Sequence, residues 1–301
     1  MSNIDKIIGS IDRKMKNKIS DKDLIKGYHE KITITLDKER PDPNDFHESV
    51  DSEKISNDIR NVAQLEKRWE TLNSEEQIEA KRMSDIAEYI IYKNLGTWIN
   101  YKANPLLASK PDDYLRGIDL IIESEDDPND KNQDIRHLGL GIDIALVSEK
   151  NADIESKKKK MERNLEQGKL TEARYVTGAS FEGSLYDLPY TILSISSKHI
   201  NDLVSSVLQK TSTEKEKKHI IKYIVAYQIL LQLGTYYKVS SARKFDTTAY
   251  QYALANNFAH DIFQELIDEL QTDTELWKQV SSDVGVQEIE KFCKSLERIL
   301  T

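Results

Sequence analysis

The 301-residue sequence contains a single cysteine, Cys293. That excludes an intrachain disulfide and a Cys-rich zinc site, and it fits a reducing cytoplasm. Long apolar runs are also missing. No stretch approaches the ~18 apolar residues of a membrane span. The nearest, Ile220–Leu233, is broken by Lys222 and several polar residues. The opening MSNIDKIIGSIDRKMKNKIS lacks the apolar core of a signal peptide. There is no basic excess either. The formal net charge is −9, which argues against wholesale coating of nucleic acid but leaves room for a local basic groove. Glycine-rich phosphate loops are absent. Gly139-Leu140-Gly141 has no third glycine at the right distance and leads into a strand. Ser180 and Ser184 lie in a glycine-flanked loop without a matching His and Asp set.

What is present is a polar, mostly helical chain with 32% charged and 38% hydrophobic residues, large enough for one large domain or two modest ones. Its first part reads as helix, with Ile4, Ile7, Ile8 and Ile11 at helical spacing and a second helix around Leu24, Ile25 and Tyr28. The alternating, β-branched Ile32–Leu36 competes as a short strand. Residues 37–54, with Pro41, Pro43 and many acids, read as an exposed loop. Helices follow at Ser56–Trp69 and from Ser74, where Ser74 and Gln77 form a capping box. The second carries the stripe Met83, Ile86, Ala87, Ile90, Ile91, Leu95, with Glu88 inside it, and ends near Gly96. Residues 100–111 read as a loop.

Two apolar runs then carry one aspartate each, in the matching phrases Gly117-Ile118-Asp119 and Gly141-Ile142-Asp143. An acid in an apolar strand costs free energy unless it is paired or bound to metal. Alternation puts Asp119, Ile121 and Glu123 on one face of the first strand, and Asp143, Ala145 and Val147 on one face of the second. If the strands pair, Asp119 and Asp143 share a face. Pro128-Asn129-Asp130 marks the turn between them, with His137 read as a loop histidine. A lysine-rich helix follows over 152–168, with Ile154, Lys157, Met161 and Leu165 along its apolar edge. A third apolar run covers Leu188–Ile195, and helices fill the remainder, their dense tyrosines read as helix packing. The fold class is therefore α/β (α+β), in three regions: 1–74 helical with an acidic loop, 75–210 an α/β core, and 211–301 helical.

This order resembles the PD-(D/E)xK nuclease superfamily over about residues 75–200: a helix with Glu88, Gly-Ile-Asp in a strand, Gly-Ile-Asp-Ile in the next, and a lysine-rich helix ending in Glu-Gln-Gly-Lys-Leu. The resemblance implies a restriction-endonuclease-like mixed sheet flanked by N- and C-terminal helices. It implies Mg²⁺ (or Mn²⁺) held by Glu88, Asp119 and Asp143, and hydrolysis of DNA phosphodiesters. Hard oxygen ligands suit that metal, and a metal so held polarises phosphate and activates water.

One feature departs from the pattern. The family lysine belongs two residues after the second acid, where this chain has Ala145. Asp143 and Ala145 share a strand face, so a side chain at 145 points at the same metal-and-phosphate space. Either the lysine has moved to the next helix, Lys157 being the candidate catalytic residue, or the chain is an inactive relative that binds nucleic acid or protein. Glu123 is a candidate to stand in for a ligand. Lys158, Lys159, Lys160 and Arg163 are the expected phosphate contacts on an otherwise acidic protein. The C-terminal helices are left open as homodimer surface, substrate clamp or core cover.

Overall fold

The computed structural model describes residues 21–71, 74–124, 139–147, 152–178, 181–208 and 219–298. The helix expected at Ile4–Ile11, the turn at Pro128–Asp130, His137 and Ser180 lie outside these residues.

The first described element is α1 (Asp21–Glu39). It absorbs Ile32–Leu36, where a strand had been in competition. Ile32 and Leu36, four apart, are buried while Ile34 is 72% exposed, so the helical period matches the burial and the alternating one does not. A 3-10 turn at Pro43–Phe46 buries Phe46. Helix α2 (Ser52–Glu70) starts on Asp51, whose carboxylate accepts from the Glu53 and Lys54 amides. Helix α3 (Glu75–Trp98) starts on Ser74, which accepts from the Gln77 amide at 3.1 Å. It runs through Gly96, which keeps a helical conformation, and ends at Ile99, because the left-handed residues that stop the helix are Asn100 and Tyr101.

The stretch expected to be a loop contains strand β1 (Ala103–Leu107). Then come β2 (Leu120–Ser124), β3 (Gly139–Val147), α4 (Ala152–Glu166), a hairpin of β4 (Thr171–Thr177) and β5 (Glu182–Leu188), and β6 (Tyr190–Ser196). The main sheet has order β1-β2-β3-β6. Its first three strands are antiparallel, and β6 joins parallel to β3 after the crossover through α4 and the hairpin. The protein is thus mixed α and β. Among the described residues five further helices follow: α5 (Ser197–Leu208), α6 (Ile221–Ala242), α7 (Asp246–Thr272), α8 (Thr274–Ser281) and α9 (Val284–Arg298). Among the described residues no helix is long and apolar enough to cross a membrane.

One apolar core extends from Ile32 in α1 to Leu296 in α9. It crosses both boundaries drawn from sequence, at 74/75 and 210/211. Tyr236 and Tyr252 pack edge to face inside it, 5.4 Å between centroids, as helix-packing tyrosines.

The open edge of β6 is closed in an unusual way. Gln228 and Gln232, one turn apart on α6, are fully buried and bond the β6 backbone as a strand would. Gln232 accepts from the Ile192 amide at 3.0 Å and donates to its carbonyl at 2.8 Å; Gln228 does the same for Ser194 at 2.8 Å each way. An unpaired sheet edge buried against apolar helix would otherwise lose these bonds. Helix α9 then comes so close that a side chain at Gly285 would strike the Ser194 carbonyl oxygen at 2.0 Å.

Candidate functional site

The β2–β3 ladder ends at Leu120↔Ile142. Asp119 and Asp143 are therefore the next residues on the two strands, opposite each other where β2 stops and β3 continues beside β6. Asp119 stays tied to β3: its amide donates to the Ile142 carbonyl at 2.8 Å, and its Oδ2 accepts from the Ile144 amide at 2.5 Å. Helix α3 supplies the facing wall. Lys81, Ser84, Asp85 and Glu88 lie three and four apart, so one helical face lines the opening. The result is a cavity of about 850 Å³ that also takes in Asp113, Tyr114, Gly117, Lys157 and Lys160, with Trp69 at its wall. All four acid and lysine positions expected from sequence, Glu88, Asp119, Asp143 and Lys157, line this one space.

The tightest acid group is different from the expected one. Oxygens of Glu88, Asp113 and Asp119 lie within 4.8 Å of one another. Asp143 is not in that group. Its Oδ1 instead accepts from Lys157 Nζ at 2.5 Å, and Lys157 also donates to the Ile144 carbonyl at 2.8 Å. Asp113 was missed because its neighbour Asp112 looks identical in sequence. The two occupy a π-helical turn, Asp112–Arg116, and point to opposite duties. Asp112 is fully buried and accepts from Ser109 and from the Arg174 and Tyr175 amides, which latches the turn to β4. Asp113 is thereby held at the cavity beside Asp119, with which it shares a hydrogen bond. The adjoining Gly117 has φ +69, a left-handed conformation natural to glycine. A side chain there would meet Lys160 Nζ at 3.0 Å and Asp143 Oδ2 at 3.3 Å.

Arg40, just past α1, also escaped the sequence reading. Its guanidinium donates to Glu88 at 2.6 Å and to the Ala108 carbonyl at 3.0 Å, and pairs with Asp113 at 2.9 Å. No local motif announces it, since 48 positions separate it from Glu88.

Burial dominates the electrostatics. It pushes Glu88 and Asp113 well above the usual carboxylate range, with Asp119 adding repulsion and Arg40 opposing the shift in both. Burial likewise raises Asp143 to about 6, against the pull of Lys157. It lowers Lys160, against the pull of Asp143. The metal-free site is thus a proton-hungry group of carboxylates. The expected consequence for stability runs opposite to the usual acid effect. A raised folded-state pKa means that the native form keeps a proton the unfolded chain has released. The Asp143 contribution is full below about pH 4, and is lost as pH rises through about 6. Urea unfolding in chelator checks this: between these limits the wild type loses stability relative to Asp143→Asn. Parallel curves for the two proteins would remove Asp143 as the titrating group.

The lysine helix does not present one basic face. Lys158, not Lys157, falls in the apolar stripe Ile154, Lys158, Met161, Leu165, at spacings of four, three and four. It is buried and paired with Glu155 at 3.0 Å and Glu288 at 2.9 Å, so it is not available to phosphate. Lys160 turns into the cavity and donates to the Arg116 carbonyl. Lys159 and Arg163 alone of the four are exposed. Successive residues on a helix are 100° apart, and a run of lysines is dispersed accordingly. Two further expectations change. Ala145 is fully buried in the main core and does not line the cavity. It shares the strand face of Asp143, but that face is already covered by the main core one step beyond the cavity. Glu123 sits at the far end of β2 against Gly178, about 13 Å of strand from Asp119, and is no substitute ligand.

Comparison of the chain with protein-family models, curated proteins and solved structures finds no match.

Proposed function

We propose that this protein is a divalent-metal-dependent nuclease that hydrolyses DNA phosphodiesters, with a restriction-endonuclease-like core. The observation that carries the reading is the convergence of Glu88, Asp113 and Asp119 within 4.8 Å, in one cavity with Lys157 and Lys160. The donor set fits the metal: three carboxylates offer the hard oxygens that Mg²⁺ or Mn²⁺ prefers. Glu88, Asp113 and Asp119 would hold it. Once bound, such a metal polarises phosphate and generates a nucleophile from water. The side-chain order along the chain, helix acid, strand acid, strand acid, helix lysine, is that of the PD-(D/E)xK pattern, with the lysine supplied from α4 in place of position 145.

The remaining roles belong to the two lysines. Hydrolysis adds water oxygen to phosphorus, breaks the bond to the leaving sugar oxygen, and delivers a proton to that oxygen. Charge grows on the phosphate as this happens. Lys157 is fixed by Asp143 and the Ile144 carbonyl, so its ammonium is oriented before substrate arrives. Lys160, whose proton is loosened by burial, is the candidate to donate to the leaving oxygen. Trp69 and Tyr114 meet edge to face at 4.5 Å at the cavity wall, with Lys81 Nζ over both rings at 4.4 and 5.6 Å.

The alternative, an inactive relative that binds without cutting, is favoured by Ala145 and by Arg40 occupying two of the carboxylates. Incubation with plasmid and with single-stranded DNA, in Mn²⁺, Mg²⁺ or chelator, separates the readings. The expected result is metal-dependent cleavage, reduced about 10²–10³-fold in Lys157→Ala, as for loss of one transition-state donor, with metal binding kept. No cleavage by wild type in any metal would leave the binding reading standing. Full cleavage by Lys157→Ala would remove the helix lysine from the chemistry.

A further inference from the structure

A second constellation lies outside this cavity. His199 and Asp202 are three apart on α5 and share a face of that helix. His219 lies two residues before the first residue of α6, next to its N-cap Ile220. One ring nitrogen from each histidine and one Asp202 oxygen lie within 4.8 Å of one another, and the two rings meet edge to face at 5.5 Å. We infer that His199, Asp202 and His219 form a site for a borderline transition-metal ion such as Zn²⁺, separate from the carboxylate group.

The donor chemistry argues for that class. Two imidazoles and one carboxylate suit Zn²⁺, whereas Mg²⁺ prefers an all-oxygen set. An oriented histidine is also present. His199 Nε2 is 2.9 Å from Asp283 Oδ2, and the other Asp283 oxygen caps α9 by accepting from the Gly285 and Val286 amides. Asp283 is therefore immobile, and it keeps the proton on Nε2 and the lone pair on Nδ1. A carboxylate behind a histidine in this way fixes the tautomer of metal-binding imidazoles. The Ile221 amide donates to His219 Nδ1 at 3.2 Å, which holds that ring at the start of α6. An ion here would tie the start of α5, the start of α6 and, through Asp283, the start of α9.

The test is Zn²⁺ titration of the metal-stripped full chain by calorimetry, with visible absorption of Co²⁺ as a second reading of the ligand set. One equivalent is expected in Asp113→Asn/Asp119→Asn, which disables the carboxylate group, and it is lost when His219→Ala is added to that variant. Asp283→Asn, a positioning change, is expected to weaken Zn²⁺ by about 10–100-fold. His199→Gln serves where His199→Ala does not fold. The inference falls if wild type binds no stoichiometric Zn²⁺. It also falls if His219→Ala and His199→Gln bind Zn²⁺ and colour Co²⁺ as wild type does, or if Asp283→Asn changes stability without changing Zn²⁺ affinity.

Discussion

Asp119→Asn is expected to abolish metal-dependent DNA cleavage and the thermal stabilisation by Mn²⁺ together, while the protein stays folded. The fold survives because the amide oxygen of asparagine can still accept the Ile144 amide, which the carboxylate now does at 2.5 Å. The metal does not survive. Asp119 is common to the acid group and to the strand end, and the change removes one of the three carboxylates that converge there. In wild type, metal at about a hundred times its dissociation constant adds about 2.7 kcal/mol to stability by linkage. Differential scanning fluorimetry in chelator and in Mn²⁺ reads the shift, and a gel of plasmid products reads the cleavage. If the variant shifts as far as wild type, no metal resides at Asp119. If it still cuts, the cleavage comes from elsewhere.

The part of this site that sequence could foresee is the part encoded by short-range periodicity. Asp119 and Asp143 stand out because each interrupts an alternating apolar run, and their pairing follows from the antiparallel ladder between those runs. Glu88 falls on the helical face shared with Lys81, Ser84 and Asp85. Asp113 needed knowledge that Asp112 is spent on β4, a tertiary fact carried by the Arg174 and Tyr175 amides. The distribution of α4 lysines needed the helix phase, which placed Lys158 under Glu288 from the far end of the chain. Asn104 and Pro105 mask strand β1 in the sequence; Pro is tolerated there on an edge strand with one neighbour. The two glutamines that close β6 read as polar interruptions of an apolar helix, and their role exists only once β6 is beside them.

Arg40→Met is the most destabilising single change foreseen, and its effect depends on metal. The guanidinium is nearly buried and neutralises Glu88 and Asp113 at 2.6 and 2.9 Å. Removing one partner of a buried pair leaves uncompensated charge and costs about 3–5 kcal/mol. In chelator the variant is therefore expected to unfold at much lower urea than wild type. Burial already holds both carboxylates well above their usual range, so they meet the loss of Arg40 by taking up protons, and the deficit shrinks as pH is lowered. A divalent cation meets the same need at neutral pH. Mn²⁺ is accordingly expected to restore more stability to Arg40→Met than it adds to wild type, because in wild type it must compete with the guanidinium for Glu88 and Asp113. Adding Glu88→Gln to Arg40→Met separates packing from charge: a neutral amide at 88 needs no counter-ion, so the double variant regains part of the lost stability in chelator and gains less from Mn²⁺. Equal stabilisation of wild type and Arg40→Met by Mn²⁺ would mean that arginine and metal do not contest the same oxygens, and would move the ion away from Glu88 and Asp113.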